Sequence, residues 1–322
     1  MSSKQLKALD LDALQEAADR IAPHIHKTPV MTCGSLDEMA GARLAFKCEN
    51  LQKVGAFKFR GAANAVLSLS NEEARRGVVT HSSGNHAQAL ALAARLKGLK
   101  AFIVMPATAP GVKIAAVRGY GAEVILCEPT LEAREAAVDE VIEHTGAVLI
   151  HPYDDARVIA GQATCALEFH RQVPGLDAVI APVGGGGLLS GTALATRFVS
   201  PKTRVIAAEP ELADDAFRSF RQKALLPAGP PRSIADGLLT SLGRIAFPLI
   251  LAHVNDILTV GEESIAVAMR HIWERMKLVV EPSGAVPLGA VLTHADMFGG
   301  KHVGIILSGG NVDLQKMLRI FC

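Results

Sequence analysis

The feature that most restricts the fold is a regular alternation of short apolar runs with helical patterns. Apolar runs of strand length occur at 44–49, 78–80, 101–105, 123–127, 148–151, 178–182, 204–208 and 303–307. Helical spacing falls at 58–69, 87–96, 112–118, 131–144, 159–172, 188–198, 265–277 and 285–292. Strands of this kind are buried on both faces, and a repeated strand–helix–strand order demands right-handed crossovers between parallel neighbours. The expected architecture is α/β, with open, mostly parallel twisted sheets covered by helices. A further helix is expected from Asp10, a good N-cap, with Leu11, Leu14, Ala18, Ile21 and Ile25 on one face and Thr28-Pro29 as its stop. The chain of 322 residues suits two domains. The block 78–151 holds four strands and can form a small domain by itself, leaving 1–77 with 152–322 as the large one. The Pro- and Gly-rich stretch 226–233 reads as a surface loop.

Charge and composition exclude several classes. Lys+Arg 33 against Asp+Glu 32 leaves +1, so neither nucleic acid nor an anionic membrane is expected as a partner. The five cysteines (33, 48, 127, 165, 322) form no C-x-x-C, which argues against a disulfide framework or zinc knuckle and fits a reducing cytoplasm. The opening MSSKQLKALDLDALQ has no apolar core of a signal peptide. The longest apolar stretch, 179–195, is broken by Pro182 and four glycines, so no membrane span is expected.

Three glycine-containing loops follow predicted strands. Gly184-Gly185-Gly186-Gly187-Leu188 opens a helix, and without Cβ atoms its N–H groups can converge on a phosphate at the helix N-terminus. No lysine follows as in a P-loop, and G-x-G-x-x-G fails because Leu189 or Ser190 occupies the last place. Glu209, at the end of the next strand, keeps a ribose-binding dinucleotide site open. The second loop, His81-Ser82-Ser83-Gly84-Asn85-His86, clusters hydroxyl, amide and imidazole groups at a helix start, suited to a carboxylate. The third, Ser308-Gly309-Gly310-Asn311, can be a plain turn. Together they mark the carboxyl ends of strands, where α/β proteins bind ligands.

Lys58 stands in Gly55-Ala56-Phe57-Lys58-Phe59-Arg60-Gly61. A lysine is ordinarily a solvated charge, but among apolar groups its pKa falls and the amine becomes a nucleophile toward carbonyls. With GAFKFRGAANAV, HSSGNHAQALA, IAGQATCALE, PVGGGGLLSG, AAEPELADDA, ADGLL, ERMKLVVEPSGA and LSGGNVD, the chain resembles the fold type II pyridoxal-phosphate enzymes. Within them it is similar to the serine racemase and serine/threonine dehydratase family, on the 3-hydroxyaspartate dehydratase branch. The resemblance spans nearly the whole chain and implies a tryptophan synthase β-like fold, a homodimer, and no C-terminal regulatory domain of the threonine deaminase kind.

The resemblance also implies roles. Lys58 would hold pyridoxal 5'-phosphate covalently and later move the Cα proton, with Phe57 packed on the pyridine ring. Gly184, Gly185, Gly186, Gly187 and Leu188 would cradle the phosphate, Asn85 would bond the 3-hydroxyl, and Ser308 would meet the ring nitrogen. A hydroxyl there makes a weaker electron sink than an aspartate would, which suits prompt elimination. Ser82, Ser83, Gly84, Asn85 and His86 would grip the substrate carboxylate, and Ser83 would carry protons on the face opposite Lys58. Gly237 would help orient the lysine and Glu281 would lie near the ring edge. Glu209, Ala213 and Asp215 would hold Mg2+, Ca2+ or Mn2+. Arg134 and Arg157 are candidates for a second substrate carboxylate. Tyr153 stands where mammalian serine racemases have asparagine, so their nucleotide activation is not carried over.

The expected activity is dehydration and deamination of a small β-hydroxy amino acid, 3-hydroxyaspartate before serine or threonine. A racemase on the same scaffold is the nearest alternative, and a nicotinamide-dependent oxidoreductase a remoter one. A non-enzymatic ligand-binding module is disfavoured by the joint presence of Lys58, Ser83 and Ser308.

Overall fold

The computed structural model describes residues 9–230 and 232–321. The first part of the N-terminal stretch and Cys322 lie outside the described residues. Ten strands form two sheets among the described residues. The larger has the order β1 (Val30–Met31), β2 (Arg43–Cys48), β10 (His302–Leu307), β7 (Ala178–Pro182), β8 (Arg204–Pro210), β9 (Asp256–Val260). The smaller runs β5 (Glu123–Cys127), β4 (Ala101–Pro106), β3 (Val78–His81), β6 (Val148–Leu149). All pairings are parallel except β1 with β2.

The expected strands are present to within a few residues, and β1 and β9 are additional. β10 is central, with Ile305 opposite both Phe46 of β2 and Ile180 of β7. Its apolar side chains, with Val303 and Leu307, are fully buried. Such positions carry no alternating pattern because helices cover both faces.

Five helices matter for the site: α1 (Lys58–Leu67), α2 (Asn85–Lys97), α3 (Ala156–Gln172), α4 (Gly187–Val199) and α5 (Pro282–Thr293). Glycines bring three of them together. A Cβ on Gly161 of α3 would stand 2.5 Å from the Arg60 carbonyl of α1, and one on Gly191 of α4 would stand 2.6 Å from the Ala163 nitrogen of α3. Real Cβ atoms do not come that close, so side-chain-free positions set these helix spacings.

Two local expectations fail. The helix capped by Asp10 is Leu11–Ile21, with the Ala13 amide donating to Asp10 Oδ1 at 2.9 Å. Its buried face is Leu14, Ala17 and Ile21, whereas Leu11 is 39% exposed and Ile25 lies beyond the end. Pro23 stops the helix before Thr28-Pro29 is reached. The helix expected over 265–277 is α-helical only over Glu262–His271 and passes into a π turn at Ile272–Met276.

A buried ionic cluster ties α1 to β2 and α3. The Arg60 guanidinium donates to both Glu49 carboxylate oxygens at 2.7 and 2.8 Å and to Glu168 at 3.3 Å. Lys47 bonds Glu168, the Thr28 carbonyl and Gln172. Arg60, Glu49 and Lys47 are fully buried. Burial alone would raise the Glu49 carboxyl, but the guanidinium beside it overrides burial and holds it below the ordinary carboxylate range. Arg60→Met leaves Glu49 as an unpaired buried charge, so denaturant unfolding should report a loss of about 3–5 kcal/mol. Arg60→Met with Glu49→Leu should regain most of that loss; an equal or larger loss would show that the cluster stabilises through more than its pairing.

Candidate active site

The three loops singled out in the sequence converge. The segment before Lys58 lies along the loop after β10, with the Phe57 amide donating to the Ser308 carbonyl at 3.0 Å and a bridge between Ala56 and Gly309. Lys58 is the first residue of α1. Its Nζ donates to the Pro152 carbonyl at 2.9 Å and lies 5.2 Å from the Phe57 ring centroid and 6.0 Å from that of Tyr153. Among the described residues no carboxylate forms an ion pair with it. Desolvation lowers its pKa to about 8, partly offset by the charge of Glu281.

Glu281 precedes α5 and is buried, with its amide donating to the Gly309 carbonyl at 3.0 Å. Burial pushes its pKa up to about 7 against the hydrogen bond from Asn85, whose Nδ2 reaches the two oxygens at 2.9 and 3.1 Å. Gly237 donates its N–H to Ser283 Oγ at 3.0 Å, and a Cβ there would come 3.8 Å from Glu281 Oε1. It therefore borders Glu281. Ser308, the first residue after β10, is buried, and its carbonyl is the one that accepts from the Phe57 amide.

The second loop leads into α2, whose first-turn amides no preceding helical carbonyl can reach. The Gly84 amide bonds back to Ser82 Oγ at 3.3 Å. Two side chains assigned to carboxylate binding are otherwise committed. Asn85 is taken up by Glu281, and the His86 imidazole donates through Nε2 to the Ile150 carbonyl at 3.2 Å. Burial drives the His86 pKa well below its ordinary value, so the ring is neutral. These two residues offer their backbone N–H groups, while Ser82 and Ser83 keep half-buried hydroxyls.

The glycine loop is more constrained than a phosphate cradle requires. Gly186 is left-handed at φ +89° and would meet Ala246 Cβ at 2.7 Å. A Cβ on Gly184 would meet the Leu238 backbone at 2.9 Å, on Gly185 the Tyr153 ring at 2.3 Å and on Gly187 the Tyr153 carbonyl at 3.0 Å. Leu188 is buried in the first turn of α4. The loop thus receives Tyr153, a residue the sequence marked only as a departure. Tyr153 stacks edge-on with His151, and His151 with His81, at centroid distances of 4.6 and 5.6 Å.

The arginine candidates separate. Arg157 is engaged by Asp155, with Nη2 at 2.6 Å from Oδ2, and carries no free fork for a substrate. The Arg134 charge acts on both His81 and Tyr153. The ribose reading of Glu209 also fails, because its two oxygens accept from the Ala216 and Phe217 amides at 3.0 and 2.7 Å. Asp215 accepts from the Leu242 amide at 2.9 Å. Both carboxylates are buried; among the described residues no basic side chain forms an ion pair with either, the nearby Arg218 being bonded to Asp214, and burial raises Glu209 to about 9 and Asp215 to about 6. Among the described residues no group of three His, Cys, Asp or Glu side chains is placed to hold a metal; the trio expected here contributes two side chains and one carbonyl.

A desolvated amine, a buried serine at the end of β10 and a helix-opening glycine loop fit pyridoxal phosphate: a carbonyl partner, a ring nitrogen and a dianion. The sequence pattern of the pyridoxal-phosphate dependent enzymes matches residues 21–309, and the chain belongs to that family. It is 50% identical to the beta-hydroxyaspartate dehydratase of Paracoccus denitrificans, over 94% of this chain and 96% of that protein. It is 47% identical to the L-threo-3-hydroxyaspartate ammonia-lyase of Saccharomyces cerevisiae, over 94% and 93%. The crystal structure of serine racemase from Dictyostelium discoideum superposes with a TM-score of 0.91 at 50% identity, covering 94% of this chain and 99% of that one. The fold is the tryptophan synthase β-like one, and a nicotinamide-dependent oxidoreductase is set aside.

In the cofactor-free protein, labelling of Lys58 by an amine-directed reagent should rise with a midpoint near pH 8, well below the ordinary lysine value of 10.5. Glu281→Gln removes the charge that holds the proton on, so the midpoint should fall further. A midpoint unchanged from that of surface lysines would show that Lys58 is solvated.

Proposed function

We propose that this protein is a pyridoxal-phosphate-dependent ammonia-lyase that dehydrates 3-hydroxyaspartate, with serine and threonine as lesser substrates. The observation that carries the reading is the Lys58 amine, desolvated and free of a carboxylate partner. When bound, pyridoxal phosphate supplies the carbonyl that takes up the substrate amine and the ring system that accepts the electron pair released at Cα. Lys58, with its pKa brought to about 8, is partly neutral near physiological pH and takes the Cα proton. The first-turn amides of α2 with Ser82 and Ser83 hold the α-carboxylate. Gly184 to Leu188 at the start of α4 would hold the phosphate, Asn85 the 3-hydroxyl and Ser308 the ring nitrogen. Phe57 would pack on the ring, with Glu281 near its edge and Gly237 beside Glu281.

Arg134 is assigned to the second carboxylate of 3-hydroxyaspartate, because its field reaches His81 and Tyr153 and its Nε is bonded only to the Thr130 carbonyl, whereas Arg157 is paired with an acid, Asp155. The substrate loses water across Cα–Cβ, and hydrolysis of the released enamine returns that water. One 3-hydroxyaspartate therefore gives one oxaloacetate and one ammonia. A second reading, racemisation, is supported by Ser83 and by the likeness to serine racemase.

A keto-acid assay over serine, threonine and both diastereomers of 3-hydroxyaspartate tests this reading. Lys58→Ala should abolish turnover. Arg134→Ala should cut kcat/KM for 3-hydroxyaspartate at least about tenfold more than for serine, the cost of one charge-assisted contact. Ser83→Ala should impair loss of chirality more than keto-acid release. Equal activity on all four substrates, unaffected by Arg134→Ala, would remove the dicarboxylate assignment.

A divalent cation is proposed at Glu209, Asp215 and the Ala213 carbonyl. The support is two buried carboxylates without a cationic partner, an oxygen set that suits Mg2+, Ca2+ or Mn2+. Without a cation, Glu209 binds a proton more tightly folded than unfolded, so stability should fall as pH rises from about 5 toward 9. Thermal melts with chelator should show that fall, and saturating Mg2+ should flatten it. Identical melts in chelator and Mg2+ across this range would exclude the cation.

Homodimerisation and a cytoplasmic setting are also part of the proposal; the latter is supported by four described cysteines that are all free. Among the described residues no helix is long and apolar enough to cross a membrane. The same proposal takes 78–151 as the small domain, since β3 to β6 make one sheet, and 1–77 with 152–322 as the large domain.

A further inference from the structure

The chain just before Lys58 is held in a conformation that its residues do not favour. Val54 has φ +57° and ψ +15°, a left-handed geometry rarely adopted by a β-branched residue. Gly55 follows at φ +70°. These two residues turn the backbone so that Phe57 and Lys58 start α1. The turn is closed against the loop after β10, where the Gly310 amide donates to the Gly55 carbonyl at 2.9 Å and Asn311 Nδ2 donates to the Val54 carbonyl at 2.6 Å. A Cβ on Gly55 would stand 2.6 Å from Asn311 Oδ1, so the asparagine lies directly on the turn.

The same Asn311 nitrogen donates to Asn85 Oδ1 at 2.9 Å, and Asn85 Nδ2 donates to Glu281. The ends of this chain fix its sense. A peptide carbonyl only accepts, so Asn311 turns its NH2 toward Val54; the same NH2 meets Asn85, which must present Oδ1 there and therefore its own NH2 to Glu281. The bond between the two amides then runs one way only. A flipped Asn85 would set its carbonyl against the Glu281 carboxylate and would have no N–H left on that side.

We propose that Asn311 is a positioning residue that locks the Asn85 amide with its NH2 on the Glu281 side, where one N–H stays on Glu281 and the other serves the cofactor's 3-hydroxyl, and pins the strained turn that aims Lys58. This rests on the assignment of Asn85 given above. Strain held by specific bonds next to a functional residue is the situation in which such a role is expected.

The test uses the purified holoenzyme and two readouts other than turnover. One is the ratio of the long- to short-wavelength absorbance bands of the bound cofactor, which follows the proton on its 3-hydroxyl. The other is retention of pyridoxal phosphate on dialysis. Asn311→Asp keeps the size but puts an acceptor oxygen against two acceptors; Asn311→Ala removes the amide. Circular dichroism matching the parent establishes that each variant is folded. Both should shift the band ratio and weaken retention about tenfold, the equivalent of one lost hydrogen bond. In an Asn85→Ala background, Asn311→Asp should leave the ratio where Asn85→Ala alone puts it. The proposal is overturned if Asn85→Ala moves the ratio and neither Asn311 variant does, or if the two effects add in full. If Asn85→Ala itself leaves the spectrum unmoved, the 3-hydroxyl assignment fails, and the proposal fails with it.

Discussion

The chemistry of this site depends on keeping one amine away from both water and carboxylates. An ammonium paired with a buried acid would hold its proton more tightly, and a solvated one would titrate far above neutrality. Lys58 avoids both, with two aromatic rings and one peptide carbonyl as its nearest groups. Its Coulombic partner, Glu281, is itself raised to about 7 and engaged by Asn85, so it pulls the proton only weakly. The position of the amine is secured from below. Arg60, two residues along α1, carries the bidentate bond to Glu49, so the helix that begins with Lys58 cannot shift without breaking a fully buried ion pair.

Glycine does two kinds of work in this fold. At 161 and 191 it sets helix separation, and at 184, 185 and 187 it admits the Leu238 backbone and Tyr153. Within the loop 184–187 only Gly186 is conformationally obliged, at φ +89°. A loop this tightly filled from outside is preorganised, and its amide directions are set by packing before any ligand arrives. That arrangement lowers the ordering cost of binding a phosphate.

The parts of the fold legible in the sequence were those written as long apolar runs. β4, β7 and β10 announce themselves because both faces are buried. β9 escaped notice because its five residues begin with Asp256 and its burial does not alternate cleanly. β1 has only two residues, too few for any pattern. Lys58, the glycine loop and Ser308 were readable as residue types at strand and helix ends. The commitments of Asn85 to Glu281 and of His86 to Ile150 were not, since their partners lie 196 and 64 residues away. Asn311 carries no distinguishing sequence signal, because an asparagine after two glycines is ordinary turn chemistry. Its meaning comes from Val54, whose left-handed backbone no side-chain pattern discloses.

Two groups of buried acids show what burial alone cannot decide. Glu49 and Glu168 face Arg60 and Lys47, and among these four side chains two positive and two negative charges cancel. Glu49 accordingly sits below its ordinary range despite complete burial. Glu209 is almost as buried, but its hydrogen bonds come from backbone amides, the nearby Arg218 being bonded to Asp214 instead, and its pKa moves the other way. The difference is not solvent exposure but whether a positive charge is paired directly with the acid. A closed cluster needs nothing further and serves the fold. An acid pair without a directly bonded counter-charge is favoured as a protonated pair or beside a cation supplied from solution, and that asymmetry supports assigning the cation to Glu209 and Asp215 rather than to the charge-balanced cluster beneath α1.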